Sequence, residues 1–458
     1  MTTGPVDPAR VTWRGERGMA EGRYVLYWMQ QAQRSHDNPA LDAAIAAANR
    51  RGLPVVVAFG VTADFPEANA RHFAFLLEGL AEVATHLRER GIAFVLREGE
   101  PPAVALTLAR EAALLVCDRG YLRIQRQWRD RVAAEAPCPV VEIETDAVVP
   151  VETASDKAET AARTMRPRIL RQREHFLAPV GPEEPTVRAD DLDLASDHDP
   201  ADPAAVLRAL PVDHAVSPVT AFRGGYSQAR EHLATFLDQG LPRYRERGAD
   251  PVADVSSHLA AYLHFGQIAP MEVARAVQSA DAPQEEREGY LEQLIVRREL
   301  SINHVWYRPD HYDAYSCLPD WAQRTLAEHA SDPRDPCYTW EILEAAETAD
   351  PYWNAAMTDM RSRGFMPNYL RMYWGKKILE WSPTPEEGFA TALALNNKYF
   401  LDGRDANAFA NVAWCFGLHD RGWPERAIFG KVRYMNASGL KRKFRIDEYV
   451  QAVKARGV

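Results

Sequence analysis

The sequence predicts an α/β N-terminal domain, a doubly wound, Rossmann-like parallel sheet, followed by a large all-α C-terminal domain. Three observations predict it. Short β-branched runs alternate with amphipathic helical patterns in the first 150 residues, an acidic irregular connection follows, and beyond residue 226 strand patterns nearly vanish. The runs YVLYW (24–28), PVVVAF (54–59), AFVLRE (93–98), LLVCD (114–118) and VVEIE (140–144) read as buried parallel strands. Helical patterns at 39–50, 71–90, 102–112 and 123–135 fall between them. This βαβ succession places ligand sites at the carboxyl ends of the strands. No GxGxxG or P-loop follows any strand, so the usual dinucleotide and ATP fingerprints are missing.

The chain divides accordingly into a flexible polar leader at 1–20, the α/β domain at 21–148, an interdomain linker at 149–220 and the helical domain at 221–458. The linker is marked by the acidic stretch GPEEPTVRADDLDLASDHDPADP (181–203) and is interrupted by a basic helical pattern. Within the helical part, SPTPEE sets Thr384 as N-cap, Pro385 at the first helical position and Glu387 at the third, so a new helix starts just after Trp381.

Composition narrows the function. With 46% hydrophobic and 26% charged residues and no run of eighteen apolar ones, a membrane span is not expected. The start of the chain has no apolar core of a signal peptide, and five scattered cysteines without CxxC spacing suit a reducing, cytoplasmic setting. His264, His304 and His311 lack ligand spacing, so no metal is expected. The net charge of −10 is unevenly spread. Between 421 and 445 eight basic residues, among them Arg421, Lys431, Arg433, Lys441, Arg442 and Lys443, face one acid, Glu425. That run is either a solvated face or a phosphate-tracking surface.

Three stretches are too particular for packing alone. SSHLAAYLHFGQIAP (256–270) puts two serines at an expected helix start, where hydroxyls and free N–H groups bind phosphate. LNNKYFLDGRDANAFANVAWCFGLHDRGW (395–423) gathers amides, acids and indoles in a segment of low helical regularity. DPYWNAAMTDM and LRMYWGKKILEW carry Trp353, Trp374 and Trp381, of which the last two, seven residues apart, share a helix face.

Together with YVLYWMQQAQRSHDNPAL, SDKAETAARTMRPRI and FGKVRYMNASGLKRKF, these motifs resemble the photolyase/cryptochrome family over nearly the whole chain, and within it the class II cyclobutane pyrimidine dimer photolyases. The resemblance implies a helical domain holding FAD, whose photoexcited reduced form passes an electron to a pyrimidine dimer in UV-damaged DNA. It implies phosphate contacts at Tyr244, Ser256, Ser257 and Leu259, an ion pair of Arg371 and Asp402 beside the flavin, Asn396 near flavin N5, and Met372 in the active site. Trp414 would pack against the dimer, with Trp423 as a second indole. Trp381 would stand nearest the flavin in an electron relay, then Trp353, then Trp374 toward the surface. Arg297 and the basic run would hold DNA phosphates without reading sequence. An antenna chromophore of 8-hydroxy-5-deazaflavin or folate type would occupy the α/β domain, its identity open, and the protein would act as a monomer.

Two positions depart from the family pattern. Gln293 stands where a carboxylate is expected, and an amide can hydrogen-bond pyrimidine edges but cannot hold negative charge. Pro367 stands where His is usual. These departures are the basis for an alternative, a cryptochrome-like flavin photoreceptor without repair.

Overall fold

The computed structural model describes residues 4–15, 20–181 and 183–456. Six strands form one sheet: β1 (Val11–Trp13), β2 (Tyr24–Trp28), β3 (Val55–Val61), β4 (Ala93–Glu98), β5 (Ala112–Asp118) and β6 (Val140–Ile143). Their order is β1-β6-β5-β2-β3-β4, with every neighbour parallel except β1 against β6. The five parallel strands are thus doubly wound about β2 and β5. Helices α1 (Pro39–Asn49), α2 (Ala70–Glu89), α3 (Pro101–Ala109) and α4 (Arg123–Glu135) cover the two faces. Strands β2, β3 and β5 are buried along their whole length, which is why they read as continuous apolar runs rather than alternating ones.

The segment expected to be a flexible leader carries a strand. Over the described residues 4–15 it is part of the domain. Val11, Thr12 and Trp13 pair with Ile143, Glu142 and Val141, and the buried Arg10 guanidinium donates to the carbonyls of Glu144, Ala147 and Val148. Three residues are too few for a strand signal in the sequence, and the pairing partner is more than a hundred residues away. Residues 1–3 and 16–19 of that segment lie outside the described ones.

The connection at 149–220 includes the helix Ala162–Leu177, whose Arg166 forms a two-pronged ion pair with Glu292. The rest of the chain is helical, and its first part shares one apolar core with the sheet: Phe75 of α2 packs on Tyr262 and Phe265 at 5.0 and 5.3 Å. Polar anchors fix the remainder. Arg71 donates to the carbonyls of Met360 and Tyr399, the His72 ring bonds the Phe400 carbonyl, and Asn69 donates to that of Lys398. The start of α2 therefore sets the position of the chain turn at 398–400. No described helix is long and apolar enough to cross a membrane.

Candidate active site

The helix Asn368–Trp381 begins after Pro367, which takes the N-cap position with φ −54° and ψ 138°. Its missing N–H would be unbonded there anyway, and its carbonyl accepts the N–H groups of Leu370 and Arg371. The departure at 367 therefore costs the helix nothing. Its early turns carry Asn368, Arg371, Met372, Trp374 and Gly375 into the wall of a cavity of about 510 Å³. Gly375 is required: a Cβ there would fall 2.6 Å from Cys415 Sγ on the facing helix Ala406–Cys415.

Arg371 is gripped twice. Its guanidinium donates to both Asp402 oxygens at 2.9 and 2.7 Å and lies 3.7 Å over the Phe400 ring. A planar fork on a carboxylate and on an aromatic face is an arrangement that Lys cannot reproduce. Asn396 lines the same wall. One of its N–H groups donates to Asn397 Oδ1 at 3.0 Å, and Asn397 is in turn held by Glu67 and the Arg404 N–H. The second Asn396 N–H and its carbonyl oxygen remain for a ligand. Asp405 closes this side, its carboxyl pushed up to about 7 by burial and then by the neighbouring charge of Asp402.

At another part of the wall lie Tyr244, Ser256, Ser257 and Leu259. The serines do not start a helix as expected. They lie in an extended loop, and the short helix Ala260–His264 begins only after Leu259. The left-handed backbone of His258 (φ 54°) bends the chain between them. Tyr290 donates to Ser257 Oγ at 2.9 Å and packs on Tyr244, which fixes both hydroxyl-bearing groups. Burial pushes the Tyr244 phenol up to about 12, so it stays a neutral donor.

The mouth is built by a π-helical turn, Glu292–Arg297, which sets the exposed Gln293 and Arg297 on the rim. Glu292 is occupied by Arg166 and Arg297. Glu299 is fully buried, accepts the N–H groups of Val148 and Val149, and is raised to about 8 by burial. Neither acid substitutes for the carboxylate missing at 293. Trp414 lines the cavity opposite, whereas Trp423 does not. Arg433 joins them, its Cζ 5.7 Å from the first ring and 5.0 Å from the second.

The order of the three indoles is the reverse of the expectation. Trp374 lines the cavity. The Trp353 ring is stacked on it at 6.5 Å and 9° between planes, and Trp381 meets Trp353 edge-on at 5.6 Å. Trp381 is the last residue of its helix, two turns beyond Trp374, and lies against Tyr338 and Lys377 rather than in the cavity wall. Equal faces on one helix did not say which end pointed inward. The Trp353 N–H donates to the Trp374 carbonyl, while the buried Trp374 N–H has no partner among the described residues. An acceptor on a ligand in the cavity would satisfy it.

The segment 395–423 is also more regular than expected, being helical to Tyr399 and again from Ala406, where Asp405 caps by accepting the Ala408 N–H. Of the basic residues, Arg297 and Arg433 line the cavity. Arg421 stacks on Trp423 at 5.1 Å, and the Lys431 carbonyl accepts the backbone N–H of Trp423. Lys441, Arg442 and Lys443 are exposed at the end of the helix Ala437–Lys443, with Lys443 4.2 Å from the ring of Tyr369 beside the cavity wall. Asn397, Phe400, Asp405 and Tyr290 were not foreseen. Only the doubled amide in NNKYF hinted at one of them.

A second, smaller cleft of about 100 Å³ lies at the carboxyl ends of β2 and β3, between Met29, Phe59, Trp128 and His264. Arg404 lines it, fully buried, with Nε and Nη2 unpartnered among the described residues.

The family model described as DNA photolyase matches residues 25–186. The chain is 50% identical to the deoxyribodipyrimidine photo-lyase of Methanothermobacter thermautotrophicus, over 96% of each chain. It is 38% identical to the enzyme of the same name from Arabidopsis thaliana, over 94% of this chain and 89% of that one. In fold it is similar to a class III photolyase from Agrobacterium tumefaciens, with a TM-score of 0.73 at 20% identity, covering 95% and 87% of the two chains.

Proposed function

The chain belongs to the DNA photolyase family, and from that premise we propose that it repairs cyclobutane pyrimidine dimers in DNA by light-driven electron transfer from FAD held in the 510 Å³ cavity. The resemblance of its motifs to the class II photolyases supports this reading. The observation that carries the reading is the meeting in one wall of an Arg371–Asp402 pair, the Asn396 amide, Met372 and a cavity-lining indole with two further indoles in file behind it.

The residues fit a flavin dinucleotide. Ser256, Ser257 and Tyr244 offer hydroxyls for phosphate oxygens; Asn396 and the orphaned Trp374 N–H offer a polar edge for a heterocyclic ring. Arg371 with Asp402 supplies a balanced charge pair beside it. Bound FAD supplies the redox chemistry: its reduced, photoexcited form is an electron donor to the dimer.

The chain's own part is positioning. Trp414 replaces the stacking that a flipped dimer loses, and a damaged pair costs less to flip than an intact one. Gln293 presents an amide to the pyrimidine edge from the rim, and Arg297, Arg421, Lys431, Arg433, Lys441, Arg442 and Lys443 attract phosphates around the mouth. Trp374, Trp353 and Trp381 form the path by which an oxidised cofactor would be re-reduced. The cleft at Arg404 is where a planar antenna chromophore of deazaflavin or folate type would lie, an anionic edge on the unpartnered guanidinium. The protein acts in this reading as a cytoplasmic monomer.

The test is to record the absorption spectrum of the purified protein, then illuminate it in reduced form with a dimer-containing oligonucleotide. Flavin absorbance and recovery of thymine absorbance are expected; no recovery overturns the repair reading. Absorbance beyond that of FAD would reveal the antenna.

A further inference from the structure

Two indoles line the cavity, Trp374 and Trp414, and only one of them leads into the file of tryptophans. Both face the cavity, but their surroundings differ sharply. Lys376 is fully buried, and its Nζ lies 4.9 Å from the Trp414 ring. It donates to the Cys415 carbonyl at 2.5 Å and has no carboxylate within ion-pair distance among the described residues. Arg433 adds a second cation to the same ring, and it and Arg421 flank Trp423. No described Lys or Arg lies over Trp374 or Trp353. Lys377 does lie 5.1 Å from Trp381, but it is neutralised by Glu380 at 2.6 Å.

A cation over an indole face stabilises the neutral ring and opposes the positive charge that oxidation leaves there, most strongly where water is excluded. We infer that Lys376 is a positioning residue for charge: held beneath Trp414, it suppresses oxidation of the dimer-packing indole and so confines electron donation to Trp374. This rests on the photochemical reading above. Each transfer moves one electron and no atom. Trp374 gives one electron to the acceptor in the cavity and is left an indole cation radical; Trp353 and then Trp381 refill the hole, and an exogenous thiolate finally gives one electron to Trp381 and leaves as a thiyl radical. Burial lowers the Lys376 ammonium to about 8, so removing the charge is chemically accessible.

The experiment exposes the full-length protein as isolated, in the dark, to azide radicals at fixed dose, and maps oxidised tryptophans by peptide mass spectrometry. Lys376→Met, close in shape and uncharged, should raise oxidation at Trp414 by roughly tenfold or more while Trp374 is unchanged; Lys376→Arg should behave as wild type. No rise in a Lys376→Met protein with the wild-type melting curve overturns the inference, as does a rise of equal size in Lys376→Arg. If Lys376→Met does not fold, the wild type decides. Between pH 7 and 9 its Trp414 oxidation should climb as Lys376 loses its proton, and a flat profile overturns the inference. The groups facing Lys376 are Asp420, Arg433 and the Cys415 thiol, the last raised to about 11. Flavin absorbance without the rise removes the role of Lys376 alone. The rise in a protein without flavin absorbance supports cation control of Trp414 and overturns the photochemical reading.

Discussion

Trp374 is the residue whose role the structure changes most. It is the one of the three aligned indoles that touches the cavity, and its N–H is unpartnered there. Trp374→Phe should therefore slow photoreduction of oxidised flavin at least tenfold, while repair by chemically reduced protein stays within about twofold, since that reaction needs no relay. Equal loss of both would show that the indole serves packing or binding instead. Asp405 gives a pH signature. Its carboxyl titrates near 7 when folded and near 4 when unfolded, so the folded state binds the proton more tightly. The stability from that proton is complete below pH 4 and is lost as pH rises through 7. Lowering the pH from 8 to 5 should thus add about 2.5 kcal/mol from this group. Asp405→Asn keeps a capping oxygen for the helix at Ala406 and should flatten that part of a denaturant-derived stability profile. An unchanged slope would assign it elsewhere, for instance to Glu299.

At the scale of elements, what the sequence announced clearly were the pieces with strong local signals. Thr384 caps the helix Pro385–Tyr399 through the Glu387 N–H at 3.1 Å, as SPTPEE foretold, because a cap depends only on neighbours along the chain. The strands of the parallel sheet were legible from continuous apolar runs, and β1 was not, because its only reason to be extended is Val141–Ile143 beside it. The π-turn Glu292–Arg297 was invisible for a related reason: a helical reading of 292–297 places side chains at 100° steps, and the wider turn re-aims Gln293 and Arg297 to the cavity mouth. Because the Gln293 side chain is exposed there and hydrogen-bonds no described residue, a carboxylate needs no rearrangement to fit. Gln293→Glu should hold or raise the repair yield per absorbed photon. A fall of tenfold would mean that the amide itself is needed at this rim.

For the whole molecule, charge distribution outweighs net charge. A chain at −10 still places Arg297 and Arg433 in the cavity wall, Arg421 on the Trp423 ring that Arg433 also covers, and an exposed Lys441–Lys443 run whose last residue lies on Tyr369. Replacing Lys441 and Lys443 with Gln should weaken binding to damaged and undamaged duplexes alike. It should also lower the slope of log K against log salt by nearly 2, about 0.9 for each phosphate no longer neutralised. A loss confined to dimer-containing DNA would instead place these lysines at the lesion. The sequence by itself determined the α/β domain followed by helices, the order of its motifs and the cap at Thr384, because periodicity, capping and residue type are written locally. Only the tertiary structure decided which tryptophan faces the cavity, that Trp423 stands behind Arg433 rather than in the wall, that the serines precede their helix, and that Lys376 lies buried under Trp414. Each of these depends on which end of an element points inward and on what a distant segment places opposite it, and no local pattern carries that information.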